Sequence, residues 1–434
     1  MDSFTGDAFE ALGEWQFNHD KQTSFVGVLN FSPNGGLELR VVDPTREHDL
    51  RAMFGSQPAS KGISASGRTH SHGHISLFDG FVSSTPMSSH GPAEMVYFFN
   101  RGLLGLATSS ASEEKFTSIF ATGELLRVWL DQKIIEVDPN LTGDSVNIRH
   151  TRPKSIETQV DGDRMLTLAW DRLGPTLSVA QSSIEISSRP WIGLEFTQPQ
   201  SVNRALNEID AATRFISLLS GFELRSSLVQ LRLPKEDIRD RAPIYFLGSR
   251  MQIKERLREP MPLDLLFTFP AIQSRFKDLS TRWFEFQKAV PGCMNVFFSA
   301  HYSSYTNQRL FALTTALEAL HRHITHVKNS SLRNRVKESI DRISILAPDI
   351  IGDRDGFARR IVACRNNEAH CNDEDDGGSG SEHFRLASKL RVIIDAVIMM
   401  ELGLTISEVS LAMRRSREYW FYASNETWAW NAKE

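Results

Sequence analysis

"EFTQPQSVNRALNEIDAATRFISLLSG", residues 195–221, holds the change of period that decides the fold. Up to Phe196 apolar residues alternate with polar ones, the two-residue period of a half-buried strand. From Ser201 they recur at three and four, as on one face of a helix. Pro199 stands at the change. Ser201 is placed to cap the helix and Gly221 to end it, because glycine takes the left-handed C-cap conformation without a Cβ penalty.

Upstream, from about Trp15, the alternation persists in short β-branched and aromatic runs parted by Gly, Pro, Asn and Asp. "TSFVGVLNF", "LELRVV", "HISLFDGFV", "MVYFFN", "LRVWL", "KIIEVD", "VNIRH", "MLTLAW" and "SIEISSR" are the segments,. Their spacing predicts an antiparallel sandwich or barrel. "NFSPNGGLEL" predicts a hairpin in which Asn34 and Gly35 supply the positive φ of a tight turn.

Downstream the pattern is mainly helical. "RMQIKERLREP" and "QSRFKDLSTRWFEFQKAVPG" read as helices and "SLVQLRL", between α-type segments, as a strand. In "QRLFALTTALEALHRHITH" Leu310, Leu313, Leu317, Leu320 and Ile324 share a face, as do Leu386, Leu390, Ile393, Val397 and Met400 further on. "SLRNRVKESIDRISIL" and "DGFARRIVACRNNEAH" lie between them, giving a bundle of four or five helices. The expected fold is therefore α+β and multidomain: a β-rich sandwich or barrel-like module at 1–199, a mixed connector at 200–295 and an all-α bundle at 296–434.

Composition excludes several functions. The 434 residues are 41% hydrophobic and 24% charged, with 49 Lys+Arg against 53 Asp+Glu, so the chain is not a strongly basic coat for nucleic acid,. Cys293, Cys364 and Cys371 make neither a disulfide framework nor a zinc knuckle. "MDSFTGDAFEALGEW" lacks the basic and apolar regions of a signal peptide, and "LRVIIDAVIMMELGL", broken by Asp395 and Glu401, is short of a membrane span. A cytoplasmic protein with no membrane partner is expected. No phosphate-binding loop, dinucleotide fingerprint, zinc-protease helix or nucleophile elbow is present, and no cofactor is called for.

The chemistry concentrates at "IVACRNNEAHCNDEDDGGSG", residues 361–380, where an apolar helix ends on Arg365, Asn366 and His370. A guanidinium forks onto phosphate oxygens and an imidazole titrates near neutrality, so the pair suits metal-free RNA cleavage. Histidine would move the proton of the 2′-hydroxyl or of the leaving 5′-oxygen, arginine would stabilise the charge on phosphorus, and Asn366 would orient either. Five residues of α-helix turn through about 140°, so the two positions do not converge unaided. Either the helix ends between them or a second copy of the chain supplies the complementary residue across a two-fold axis.

Arginine, a short gap and histidine late in a helical bundle resembles the motif of the HEPN superfamily, and "RNNEAH" fits it. "FALTTALEALHR" resembles the first HEPN helix, with Glu318 where the family often carries a polar residue. "GEWQF", "FVGVLNF", "HGHISLFDGFVSS" and "LLRVWL", in that order, are similar to the N-terminal domain of ApeA-type anti-phage proteins. The resemblance implies a ribonuclease restrained until a phage-encoded trigger arrives. It would then cleave RNA, with tRNA the expected target, as a homodimer in abortive infection. It implies Arg365, His370 and Asn366 as catalytic residues. The rival reading is a catalytically silent HEPN bundle that binds partners or nucleotides.

Other clusters have simpler readings. Arg359 and Arg360 could hold substrate phosphates or, with Arg354, pair with Asp353 and Asp355. Glu318 could help orient the pair and bind substrate, or form a salt bridge at the edge of its helix. His321, His323 and His326 suit the negative end of the helix dipole. His70, His72 and His74 alternate, yet "SASGRTHSHG" reads as a mobile loop without a nearby acid or cysteine, so no metal is expected. Cys364 reads as a core residue, and Asp373, Glu374, Asp375 and Asp376 as a solvated loop.

Overall fold

The computed structural model describes residues 4–18, 20–33, 35–43, 62–84, 93–110, 113–137, 148–151, 153–178, 183–235, 243–248, 260–300, 305–370 and 380–415. They divide into two compact units. One comprises residues 1–127, 133–213 and 225–259; the other comprises 128–132, 214–224 and 260–434.

The first unit is built on a closed barrel. Its strands are β1 (Phe9–Phe17), β2 (Asp20–Ser32), β3 (Gly36–Asp43), β4 (Ile63–Thr69), β5 (Gly73–Ser84) and β6 (Ala93–Leu104). They pair antiparallel in the order β1–β2–β3–β6–β5–β4, and β4 returns to β1. Closure removes the free edges that an open sheet would present. The inward side chains of the alternation, among them Trp15, Phe25, Leu29, Leu37, Leu39, Ile75, Leu77 and Phe99, fill it. Burying each contributes about 1.5–3 kcal/mol.

From β6 the sheet runs on through β14 (Ile244–Gly248), β13 (Leu228–Arg232), β7 (Lys115–Thr122), β12 (Ser183–Ser201), β11 (Arg164–Ser178) and β10 (Ile156–Gln159). β8 (Ile135–Val137) and β9 (Ile148–His150) form a separate ribbon.

Several expectations change here. "LRVWL" lies in a helix, α1 (Glu124–Leu130), not a strand. Leu125, Leu126, Trp129 and Leu130 are buried at helical spacing. "SASGRT" is strand β4 rather than a loop, and a Cβ at Gly67 would sit 2.4 Å from Trp15 Cε3, so the small residue makes room for the indole. In the β2–β3 turn the positive φ falls on Gly36, at 83°, while Asn34 lies outside the described residues. "SLVQLRL" contains β13, which pairs with β7. With β14 it therefore joins the sheet of the first unit, although both strands fall in the 200–295 stretch read as a connector. "RMQIKERLREP" lies outside the described residues apart from its last position.

Helix α2 (Val202–Ser220) follows β12, and Gly221 ends it at φ 77°. The second unit then contains α3 (Phe276–Ala289), α4 (Pro291–Ser299), α5 (Thr306–Thr325), α6 (Leu332–Arg342), α7 (Arg354–His370), α8 (Gly380–Glu401) and α9 (Ile406–Arg415). Edge-to-face and tilted rings link Trp129, Phe269, Phe276, Phe215 and Trp283 in one aromatic series. Leu310, Leu313, Leu317 and Leu320 of α5 are buried as the spacing requires, with Ile324 at the edge. In α8 burial extends round most of the helix from Leu386 to Met399, which makes it the central helix of the bundle,. Among the described residues no helix is long and apolar enough to cross a membrane.

Candidate active site on helix α7

The start of α7 is fixed locally: Asp353 Oδ1 accepts the Asp355 N–H at 3.0 Å and its carbonyl accepts that of Phe357 at 2.9 Å. Phe357, Ala358, Ile361 and Cys364 then form the buried stripe. Arg365 stands four residues after Ile361, so the same stripe ends on a charge. It is partly buried, and its guanidinium carbon lies 5.9 Å from the centroid of the Phe311 ring on α5. A cation over an aromatic face is stabilised without being neutralised. Among the described residues no carboxylate pairs with Arg365; its Nη1 reaches Asn366 Oδ1 at 3.4 Å, a long contact,. Asn366 itself is exposed.

The helix continues through His370. The option in which it ends between Arg365 and His370 is therefore not the one adopted, and the two positions stay about 140° apart round the axis. The side chain of His370, Cys371 and the acidic run 373–376 lie outside the described residues.

Arg359 and Arg360 are exposed but sit about 120° and 140° round the helix from Arg365, so neither shares its face,. Arg359 Nε makes a long 3.4 Å contact to the Asp355 carbonyl, and Arg360 pairs with Glu382 of α8. Asp355 pairs with Lys337 instead of an arginine, and that hydrogen bond holds its carboxyl below the usual range. Arg354 pairs with Asp341. Such exposed pairs add little stability.

Glu318 is partly buried on α5, and its backbone carbonyl accepts Arg335 Nη1 at 2.8 Å. Arg335, which the sequence pattern did not single out, is buried and also donates to the carbonyls of Ser330 at 2.9 Å and Lys328 at 2.8 Å. One guanidinium thereby ties α5, the 326–331 turn and α6 together. Its position beside Val336 and Ile340 on the helical period was the available signal.

His323 and His326 lie at the C-terminal end of α5, as the dipole reading has it, whereas His321 departs from it. His321 is buried and its Nε2 meets Glu338 Oε2 at 2.6 Å. His323 meets the Phe286 ring edge-on at 5.7 Å, while His326 forms the left-handed C-cap of α5 at φ 59°. In the first unit His72 stacks on Phe9 at 4.2 Å, and burial lowers its pKa. Among the described residues no three His, Cys, Asp or Glu side chains converge as metal ligands. Cys364 is buried as read, and burial pushes the Cys293 thiol up to about 12.

A β-barrel unit and a helical unit whose third long bundle helix carries Arg-Asn-Asn-Glu-Ala-His define a protein of the HEPN class. Two family models match the chain: "ApeA N-terminal domain 1" over residues 10–283 and "Apea-like HEPN" over residues 304–408. The chain belongs to the ApeA family, with a HEPN domain at its C-terminal side, and is of the nuclease type that HEPN domains typically are. No curated protein and no solved structure is similar enough to match.

Proposed function

We propose that the chain is a metal-independent endoribonuclease of anti-phage abortive infection, acting in the cytoplasm as a homodimer and cleaving RNA, with tRNA the first substrate to test. His370 takes the 2′-hydroxyl proton as that oxygen attacks phosphorus, or protonates the departing 5′-oxygen. The products are a 2′,3′-cyclic phosphate and a 5′-hydroxyl. Arg365 stabilises the charge gathered on the phosphoryl oxygens, and Asn366 orients the phosphate. Arg359 and Arg360 hold flanking phosphates, Arg360 by exchanging Glu382 for RNA, and Glu318 lines the approach on α5. The N-terminal module restrains the nuclease until the trigger arrives.

The observation that carries this reading is Arg365 at the end of a core stripe, charged, partly exposed and without a carboxylate partner among the described residues. One observation favours the silent-module alternative: α7 runs through His370, so a single chain does not bring the two positions together. The test is RNA breakdown by purified protein in EDTA. Loss of cleavage in Arg365→Ala and His370→Ala supports the proposal. Variants as active as the parent refute it, and activity that chelation abolishes refutes the metal-free chemistry.

A further inference from the structure

Within the first unit a cleft of about 450 Å³ is lined by Asn100, Arg101, Asn203, Leu206, Asn207, Phe246 and Gly248. It lies where β6 changes neighbours: β3 pairs with it up to Phe99, and β14 takes over at Arg101. Asn100 falls at that seam. One wall is the first turns of α2, where Asn203 and Asn207 are exposed one turn apart on the same face,. The other carries the Phe246 ring, and Gly248 leaves it room, since a Cβ there would sit 2.7 Å from Phe246 Cε1.

Arg101 is held rather than free to swing. Its Nε donates to Asp79 Oδ2 at 2.5 Å, Nη2 pairs with the same carboxylate and Nη1 donates to Asn203 Oδ1. A guanidinium has five N–H groups, so this arrangement leaves donors over for a ligand. Asp79 adopts a left-handed φ of 55° without being glycine, and its carbonyl accepts Asn100 Nδ2 at 3.1 Å. Backbone strain of this kind, held by its surroundings, gathers at ligand clamps.

The chemistry of the wall selects a ligand class. Arg101 and Asp79 cancel, and the remaining lining is uncharged, so a polyphosphate gains little. Asn207 presents both an amide donor and an acceptor, Asn203 keeps its N–H donors and Asn100 its carbonyl acceptor. Together these are the complement of a nucleobase edge, and the Phe246 ring lines the cleft beside them,. The volume suits one nucleoside. A peptide strand would need a continuous free edge of N–H and C=O groups, which a seam one residue long does not offer.

We propose that this cleft binds a single nucleobase, carried either by a free nucleoside or nucleotide or by an unpaired position of single-stranded RNA. Titration calorimetry on the full chain tests it with three probes. These are the four ribonucleosides, their 5′-monophosphates, and short 2′-O-methyl homopolymers that cannot be cleaved through the 2′-oxygen. At least one base is expected to bind, and Asn207→Leu, a change on an exposed helix face, to weaken it about tenfold or more. Phe246→Leu should weaken it too, with Asn207→Leu deciding if that variant folds poorly. Binding of nucleosides points to the free ligand, and binding of oligomers alone to RNA. No binding by any probe at millimolar concentration, or binding that Asn207→Leu leaves unchanged, overturns the proposal. Because no probe has to be cleaved, the outcome is independent of whether Arg365 and His370 form a nuclease.

Discussion

Mixing two inactive variants should restore activity. On one ideal helix, positions 365 and 370 are about 7.5 Å apart along the axis and about 140° apart round it, which separates side-chain tips by about 13 Å. A proton-moving imidazole and a guanidinium on the same phosphodiester each need to lie about 3 Å from its oxygens, so they cannot be much more than roughly 8 Å apart. Since α7 is unbroken through His370, the proposed nuclease would need arginine from one subunit and histidine from the other. In a heterodimer of Arg365→Ala with His370→Ala, one of the two composite sites loses both groups and the other keeps both. Isolated heterodimer, with one intact site of two, should therefore cleave at about half the parent rate. The assay is the rate of 2′,3′-cyclic phosphate formation after the variants, carrying different tags, are co-expressed and purified through both. Double-tagged heterodimer as inactive as either variant alone would refute the composite site, because two single-chain sites would both be dead in it.

Phe311→Leu removes the ring beneath Arg365 and should lower cleavage about two- to fivefold, the worth of about 0.5–1 kcal/mol for an exposed cation–π contact, while Phe311→Tyr keeps the rate,. If Phe311→Leu lowers the residual rate of Arg365→Ala by the same factor, the ring does not act through Arg365. Arg335→Met leaves three carbonyls without their donor and should cost at least about 3 kcal/mol in urea unfolding, with Arg335→Lys no rescue because an ammonium cannot span them,. An unchanged midpoint would show the carbonyls find water instead. Glu408 accepts the Thr405 N–H at 2.7 Å while its own N–H donates to Thr405 Oγ1 at 3.2 Å, a capping box at the start of α9,. The Thr405 N–H foremost, then the Thr405 hydroxyl and the Arg275 guanidinium, hold the Glu408 carboxyl below its usual value. The folded state thus binds that proton less readily than the unfolded one. Its stabilisation is present above the ordinary glutamate range and lost as pH falls through the lowered value. Stability measured against falling pH should show a smaller loss in Glu408→Gln, and Thr405→Ala should cost about 1 kcal/mol.

The change of period near Pro199 was readable because β12 and α2 each carry enough residues to display one. The barrel side of the chain was likewise legible strand by strand, since inward residues such as Leu37, Leu39 and Val41 repeat at two. "LRVWL" misled because five apolar-rich residues fit both periods, and the deciding fact, the burial of Leu125 and Leu126 together, comes from tertiary packing,. β4 was hidden for the opposite reason: its small residues leave space for Trp15, and a strand that accommodates its neighbour carries no pattern of its own. The pairing of β13 with β7 joins positions more than a hundred apart, which no local signal reports. At the candidate site, spacing alone identified Arg365, Asn366 and His370. It could not supply Phe311, whose contribution depends on how α5 crosses α7.

The order of residues along α7 bears on how the proposed reaction would use its last turn. Phe357, Ala358, Ile361 and Cys364 supply the buried stripe of the first three turns, and Arg365 stands at its end. Arg365 is then placed against an aromatic face, which fixes a cation while leaving its charge intact for a phosphate,. Arg360, one turn and a half earlier, faces Glu382, and any phosphate it binds has first to displace that carboxylate. Under the proposed function, substrate attraction would rest on Arg365 before Arg359, and on Arg359 before Arg360. That order comes from the side chain each guanidinium meets, since all three carry the same charge.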